Sequence, residues 1–178
     1  MSLRHALLTA LIEKPASGLD LAKRFDRSIG YFWSATHQQI YKELGRMESD
    51  GLIESTPEEN ARGVKKIHRV LGKGRQELKR WVAECGEPAP LRDPLMVRLR
   101  AEGAIGPAGL AKSLQALREE HVAKRALYQE FEARDFSKAP SDRAAALRHV
   151  VLKAGLKHEN YWIEVLDEAL SVLAQDDD

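Results

Sequence analysis

Apolar residues recur every three or four positions at the start of the chain, at Leu3, Leu7, Leu8, Leu11 and Ile12. This spacing lines up one face of a helix, and that face is expected to turn inward. Lys14-Pro15 ends the pattern, because the residue before a proline is pushed out of the helical conformation. The pattern therefore predicts a first helix over residues 3–13.

A second helix is predicted over residues 18–27. Ser17, followed three residues later by Asp20, resembles a capping box, and the apolar positions after it have helical spacing. The aromatic stretch Tyr31-Phe32-Trp33 then lies in the connection to the next element.

The third helix, predicted over residues 37–50, has the clearest start and end. Thr36 and Gln39 form a capping box ahead of it, and Gly51 follows it as the expected left-handed stop. The apolar positions expected to face the core are Ile40, Leu44 and Met47. The helical period leaves an outer side and an N-terminal tip of polar residues: Thr36, His37, Gln38, Gln39, Lys42 and Arg46.

Two short strands are predicted after the third helix, over residues 52–55 and 67–71. They flank a polar, basic stretch at 56–66 that contains the turn-forming residues Pro57, Asn60 and Gly63. Three helices followed by a hairpin with a charged tip form the outline of a winged helix-turn-helix domain.

The rear half of the chain is predicted to be all helical. A helix over 74–84 is broken by a Gly/Pro segment at 86–90, which is the best domain boundary in the sequence. We therefore expect a winged helix-turn-helix domain at 1–85 and a helical dimerisation domain at 86–178. The helices predicted in the second domain cover residues 92–101, 108–134 and 142–174.

Apolar stripes on the last two helices predict a dimer. The longer of the two seams follows alternating steps of four and three residues through Leu110, Leu114, Leu117, His121, Lys124, Tyr128 and Phe131. Because exposed stripes need a partner, we expect a second copy of the chain to cover them. The residues of these two stripes that are assigned to the dimer surface are Leu114, Leu117, Trp162, Leu166 and Leu170.

Charge is distributed unevenly, although the net charge of the chain is only +1. Residues 1–84 hold 15 Lys/Arg against 11 Asp/Glu, whereas residues 85–178 hold 13 against 16. A mildly basic front and an acidic rear suit a protein that touches phosphates at one end. The cations near the hairpin tip, Arg62, Lys65 and Lys66, suit the minor groove or the phosphates beside it.

The polar side of the third helix is the candidate reader of bases. Its side chains reach base edges and phosphates, and the positive end of the helix favours a nearby phosphate. An ordinary solvated helix face has the same composition, so the helix alone does not decide between the two interpretations. A capped polar helix followed at once by a basic hairpin favours double-stranded DNA as the partner.

Enzymatic chemistry is disfavoured by the motifs. The sequence contains no Gly-rich phosphate loop, no G-x-S-x-G elbow and no H-E-x-x-H helix, and its six histidines are scattered. A single cysteine, Cys85, excludes an intramolecular disulfide and a cysteine-based zinc cluster. We expect no enzyme activity, no metal and no cofactor. No apolar run approaches the roughly 20 residues that span a bilayer, so a cytoplasmic protein is expected.

The front of the chain closely resembles the PadR family of bacterial winged-helix transcriptional regulators. The motifs that carry the resemblance are FWSATHQQIYKELGRMESDGLI, RGVKKIHRVLGKGRQELKRW and the opening ALLTALIEKPASGLDLAKRF. The rear half is similar to the helical C-terminal region of the longer, virulence-activator-type members. Two positions depart from the pattern: Leu19 stands where many members have tyrosine, and Gly72 where threonine is usual, which predicts a weaker cap on the helix there.

The resemblance implies DNA contacts from Gln38, Gln39, Tyr41 and Lys42 and from Lys65 and Lys66 in the wing. It also implies a homodimer built from the first and C-terminal helices, which adds Leu3 and Leu7 of the first helix to the dimer surface. Many members of the family respond to small hydrophobic or phenolic molecules at or near the dimer interface. The residues that would line such an effector site are Trp81, Tyr128, Phe131 and Tyr161. Ordinary packing in the core or the dimer explains the same aromatics.

The sequence therefore indicates a ligand-responsive repressor that binds a palindromic operator as a homodimer. The alternative is a protein-interaction module whose winged helix no longer binds DNA. The nearly neutral net charge of +1 is the observation that supports the alternative.

Overall fold

The computed structural model of the chain describes residues 3–26, 35–57, 65–84, 86 and 92–175. The chain divides into two compact units, Met1–Ala89 and Pro90–Asp178. Several features named above lie outside the described residues: the aromatic stretch at 31–33, Arg62 with the tip of the predicted hairpin, Cys85 and most of the predicted break at 86–90.

The first unit contains the predicted helices and strands. In chain order these are α1 (Leu3–Glu13), β1 (Ala16–Ser17), α2 (Gly18–Asp26), α3 (His37–Ser49), β2 (Ile53–Pro57), β3 (Lys66–Val70) and α4 (Gly72–Ala83). The predicted fold class, a winged helix-turn-helix followed by helices, is confirmed. The strand β1 was not predicted, because its two residues have no pattern of their own.

A single apolar core holds the first unit together. Leu7, Leu8 and Leu11 of α1 are buried in it, as their spacing predicts. Other fully buried side chains in this core are Leu21, Phe25, Ile40, Met47 and Ile53. Each such side chain contributes roughly 1.5–3 kcal/mol relative to an exposed position. The core therefore fixes the inward side of α3 and leaves its other side outward.

The sheet of the first unit is three-stranded and antiparallel, in the order β1-β3-β2. β2 and β3 form the wing hairpin, with Ile53 opposite Val70 at one end and Pro57 opposite Lys66 at the other. β1 pairs with the far edge of β3, where Ser17 lies opposite Ile67. The base of the wing is thus joined by hydrogen bonds to the segment that leads into α2.

The second unit consists of α5 (Pro94–Ile105), α6 (Leu110–Asp135) and α7 (Arg143–Leu173). Asp93 caps α5 by accepting from the backbone N–H of Leu95 at 2.8 Å, and Asp142 caps α7 by accepting from Ala145 at 2.7 Å. α6 and α7 pack along each other as an antiparallel hairpin. No helix within the described ranges is long and apolar enough to cross a membrane.

The seam of α6 is covered by α7 of the same chain. His121 lies in it with Nδ1 2.5 Å from Oε2 of Glu159, and both side chains are buried. Tyr128 is also buried, against Gly155, where a Cβ would lie 3.0 Å from the tyrosine ring. Lys124, which the heptad pattern placed in the seam, is exposed. The stripe of α6 that was expected to be covered by a second copy is thus covered by α7 of the same chain at His121 and Tyr128.

Three of the residues assigned to the dimer surface lie inside a single chain. Leu7, Leu114 and Leu166 are 0%, 1% and 0% exposed, so a partner has no surface of these side chains to cover. The other four are partly exposed: Leu3, Leu117, Trp162 and Leu170. A separate set of large apolar side chains on α7 is half exposed or nearly so: Leu147, Val150, Val151, Tyr161 and Val172.

Candidate nucleic-acid interface

The N-terminus of α3 is held by the capping box that the sequence predicts. The backbone N–H of Gln39 donates to Oγ1 of Thr36 at 3.2 Å, and the backbone N–H of Thr36 donates to Oε1 of Gln39 at 2.8 Å. Two N–H groups that the helix leaves unpaired are thereby satisfied. The tip of the helix is fixed by these bonds, although the side chains around it face solvent.

The predicted residues on the polar side of α3 face outward. Thr36, His37, Gln38, Gln39, Lys42 and Arg46 are all exposed. Gln38 is better placed than Gln39 for a bidentate contact with a base, because the amide oxygen of Gln39 already accepts a bond within the cap. The outer side therefore offers amide and cationic donors to a ligand.

Tyr41 lies between the outer side of α3 and the start of α2. Its ring is 48% exposed and lies against Gly18, where a Cβ would overlap the ring. The absence of a side chain at Gly18 thus lets α2 and α3 approach at this point. Leu19, the departure from the family pattern, is the next residue of α2 and is 47% exposed.

Glu43 of α3 and the C-cap residue Asp50 are held by a cation from α1, which the sequence did not reveal. Arg4 Nε donates to Oε1 of Glu43 at 3.0 Å, and Arg4 Nη2 lies 2.7 Å from Oδ2 of Asp50. These carboxylates, Glu43 first, raise the pKa of Arg4. Arg46 also lies 3.5 Å from Oε2 of Glu43, so the negative charge of Glu43 is balanced locally.

The base of the wing carries the two predicted lysines, which differ in their surroundings. Lys66 is exposed on β3. Lys65 Nζ lies 3.1 Å from Oδ2 of Asp20 in the first turn of α2. Oδ2 of Asp20 also accepts from the hydroxyl of Ser17 at 2.8 Å, and the hydroxyl in turn accepts from the backbone N–H of Asp20 at 3.1 Å. The predicted Ser17 cap is therefore present, and through Asp20 it is linked to Lys65 at the base of the wing.

His68 lies on β3, two residues beyond Lys66. Its cross-strand neighbours are Ala16 and Ser55, and Ser55 donates its hydroxyl to Glu48 at the end of α3. Burial lowers the pKa of His68, with the positive charge of Lys66 acting in the same direction and the negative charge of Glu48 opposing it. In the described part of the chain, the buried Nδ1 of this histidine has no hydrogen-bond partner.

The aromatic residues predicted for an effector site are divided between the two units. In the first unit, Trp81 stacks on His5 with ring centroids 4.5 Å apart. In the second unit Tyr128 is buried against Gly155. The guanidinium of Arg134 lies 4.9 Å from the ring centre of Phe131. The rings of Tyr161 and Trp162 pack edge-on with their centroids 5.3 Å apart. Tyr161 is 53% exposed and is the most accessible of the four.

The architecture of the first unit defines a winged helix-turn-helix protein, with α2 and α3 as the helix pair and the β2–β3 hairpin as the wing. Two family models match the chain. The Transcriptional regulator PadR-like family matches residues 7–80, and the Virulence activator alpha C-term family matches residues 91–174. A Mycobacterium tuberculosis protein with the name "Probable transcriptional regulator" is 39% identical over 98% of this chain and 99% of its own length. The chain belongs to the PadR-like family of transcriptional regulators.

Solved structures agree with this assignment. The Vibrio cholerae virulence activator AphA has a TM-score of 0.83 and 32% identity, with 98% of this chain and 99% of that chain covered. Bacillus subtilis PadR, solved in complex with operator DNA, has a TM-score of 0.81 and 24% identity over 96% of this chain and 97% of its own, which shows the shared fold.

Proposed function

We propose that this regulator is a homodimeric, ligand-responsive repressor that binds a palindromic operator with α3 of each subunit. The observation that carries the proposal is the exposed polar side of α3, capped at Thr36 and followed by the exposed cation Lys66. Bacillus subtilis PadR, which is named a negative transcriptional regulator, is 33% identical over 99 residues and supports repression.

In this proposal α3 enters the major groove by its N-terminal end. Gln38 contacts a base edge, and Lys42 and Arg46 reach phosphates or bases further along the groove. Lys65 and Lys66 lie along the phosphates or the minor groove beside the wing. The contacts position a single subunit on one half-site, and Glu43 of α3 stays engaged with Arg4.

A dimer supplies the second half-site. Its interface would be formed by the partly exposed members of the predicted set, such as Leu3, Leu117 and Trp162, and by the exposed apolar residues of α7. A stripe of this kind on a long helix is suited to burial against an identical stripe. The two reading helices would then contact major grooves about 34 Å apart, one helical turn.

An effector would act by changing the separation of these two helices. The solved complex of Bacillus subtilis PadR with p-coumaric acid supports a phenolic ligand. Tyr161 and Trp162, which pack edge-on in the second unit, would offer aromatic surface for such a ligand at the proposed dimer interface. Because it would act on the genome, we place the regulator in the cytoplasm.

Fluorescence anisotropy with duplex DNA tests the proposal. The full-length protein is titrated into labelled duplexes from the region upstream of its own gene and into shuffled duplexes of equal composition. We expect the upstream duplex to bind at least roughly 1000-fold more tightly, the lower end for specific binders. Binding of no duplex at about 50 mM salt would contradict the proposal and favour a protein-interaction module. Sedimentation at the same concentrations should give twice the mass of one chain.

A further inference from the structure

The ion pair between Lys65 and Asp20 joins the wing to the first turn of α2. The two atoms Nζ and Oδ2 lie 3.1 Å apart, and the side chains are 38% and 47% exposed. Lys65 immediately precedes β3, whose first residue is the exposed Lys66. Two adjacent lysines at the base of one wing therefore have different electrostatic surroundings.

Asp20 is built to stay ionised. Its carboxylate accepts from the Ser17 hydroxyl at 2.8 Å, and this bond, followed by the one to Lys65, lowers the pKa of Asp20. Lys23, one turn further along α2, acts in the same direction. At neutral pH the negative charge of Asp20 therefore lies beside Lys65 whenever no other anion competes for the ammonium group.

We infer that Asp20 is a positioning residue that competes with a DNA phosphate for Lys65 and so sets the affinity and salt dependence of binding. This inference rests on the proposed function. Exposed ion pairs contribute little to stability, so the lysine can exchange the carboxylate for a phosphate. The Asp20 carboxylate and the bound phosphate then both lie within one Debye length of the Lys65 ammonium group. The exchange leaves Asp20 without its lysine.

The exchange has a consequence for counterions. A lysine that neutralises a phosphate releases a cation from the DNA. The logarithm of the affinity therefore falls as the logarithm of the salt concentration rises, with a slope of about 0.9 per neutralised phosphate. Asp20, when it loses Lys65, attracts a cation from solution, which cancels much of that release. Replacing Asp20 by an uncharged residue should therefore strengthen binding at low salt and steepen the salt dependence.

Anisotropy titrations from about 50 to 300 mM salt on one fixed duplex test the inference. The variants are Asp20→Asn, Lys65→Gln, the double variant and Glu84→Gln. Glu84 is exposed at the end of α4, and its variant changes the net charge by the same amount as Asp20→Asn does. The asparagine side chain retains an oxygen that can accept from the Ser17 hydroxyl. Asp20→Ser serves as a second uncharged variant if the first has a lowered melting temperature.

We expect Asp20→Asn to tighten binding about fivefold at the lowest salt, with a slope steeper by up to about 0.9 per subunit. Glu84→Gln should change affinity by less than about twofold, and the Asp20→Asn effect should disappear when Lys65 is already glutamine. Weaker or unchanged binding by Asp20→Asn overturns the inference. Equal tightening with and without Lys65 also overturns it, because plain repulsion of the phosphates would then explain the effect.

These failures differ from a failure of the proposed function. If wild-type protein binds the duplex and the Asp20 variants behave otherwise than expected, DNA binding stands and the exchange is wrong. If wild type and every variant bind no duplex, the proposed function fails and the exchange fails with it.

Discussion

Gly74 of α4 lies directly against the backbone carbonyl of Leu52, and a Cβ at Gly74 would overlap that oxygen. The same carbonyl accepts a hydrogen bond from the N–H of Leu71 at 2.9 Å. The start of α4 is thereby fixed to Leu52, the residue before β2 of the wing. Among the described residues, none is capped by the side chain of Leu71, the N-cap residue of α4. The absent side-chain cap follows from the apolar N-cap residue Leu71, since Gly72 is already the first residue of α4.

Gly74→Ala should destabilise the first unit by about 2 kcal/mol, because a backbone group cannot rotate out of the way as a side chain can. Gly72→Ala is the matched control in the same helix, since no described atom lies within 4 Å of the added carbon. The control should leave stability within about 0.5 kcal/mol or raise it. Denaturant unfolding of both variants measures the difference, and equal effects would show that the contact does not matter.

Thr36→Ala and Gln38→Ala should separate folding from DNA recognition. Thr36→Ala removes the acceptor for the Gln39 N–H and should cost about 1 kcal/mol of stability. Gln38→Ala should leave the melting temperature unchanged but reduce discrimination between operator variants by about 1–3 kcal/mol at one base pair. Thermal melts and anisotropy with single-base variants measure the two effects. A stable Gln38→Ala protein with unaltered preference would exclude Gln38 as the reader.

Stability of the first unit should fall as the pH is lowered through the ordinary pKa of histidine, about 6.5. Burial lowers the pKa of His68 in the folded chain, so below that pH the unfolded chain binds a proton that the folded chain does not. The contribution of uncharged His68 to the free energy of unfolding is fully present above the histidine pKa of the unfolded chain. It is lost as the pH falls to the lower pKa of His68 in the folded chain. Unfolding measured across this range should show a smaller decline for His68→Gln than for wild type; parallel curves would contradict the assignment.

The His121–Glu159 pair should be important for the stability of the α6–α7 hairpin. Both side chains are buried, and Trp162 stacks on His121 with ring centroids 6.0 Å apart. Glu159→Ala leaves the histidine buried without its carboxylate and should cost about 3 kcal/mol. Glu164→Ala, on an exposed part of α7, is the control and should cost less than about 0.5 kcal/mol.

A double-mutant cycle with His121→Ala isolates this pair from the other contacts. The coupling between the two substitutions should be at least about 1 kcal/mol, as for neighbours in one network. Additive effects in denaturant unfolding would mean that the two residues pack independently.

The features that were predictable from the sequence are those fixed by neighbours along the chain. α1 ends at Glu13, immediately before Lys14-Pro15, as predicted. The capping box of Thr36 and Gln39 lies at the start of α3, where it was expected. Gly51 has the predicted left-handed conformation, with φ of +68°. Each of these signals acts between close neighbours in the chain, so local sequence is sufficient to show it.

Features that join distant segments were missed. β1 exists because Ala16 and Ser17 pair with β3 far along the chain, and two residues alone have no periodicity. The α6 seam was assigned to a second copy because its pattern shows only that it must be covered, not that α7 covers it. The Lys65–Asp20 pair is hidden for the same reason, since the wing and α2 meet only in the folded chain.

Photocrosslinking from α3 tests most directly whether this helix contacts the operator. The variant Gln38→p-benzoylphenylalanine is irradiated with labelled upstream duplex, and the same replacement at Glu164 on α7 is the control. The account predicts a crosslink from position 38 that excess unlabelled operator removes and shuffled duplex does not. Absence of a crosslink from position 38 in a complex that still forms, with a crosslink from position 164, would contradict it.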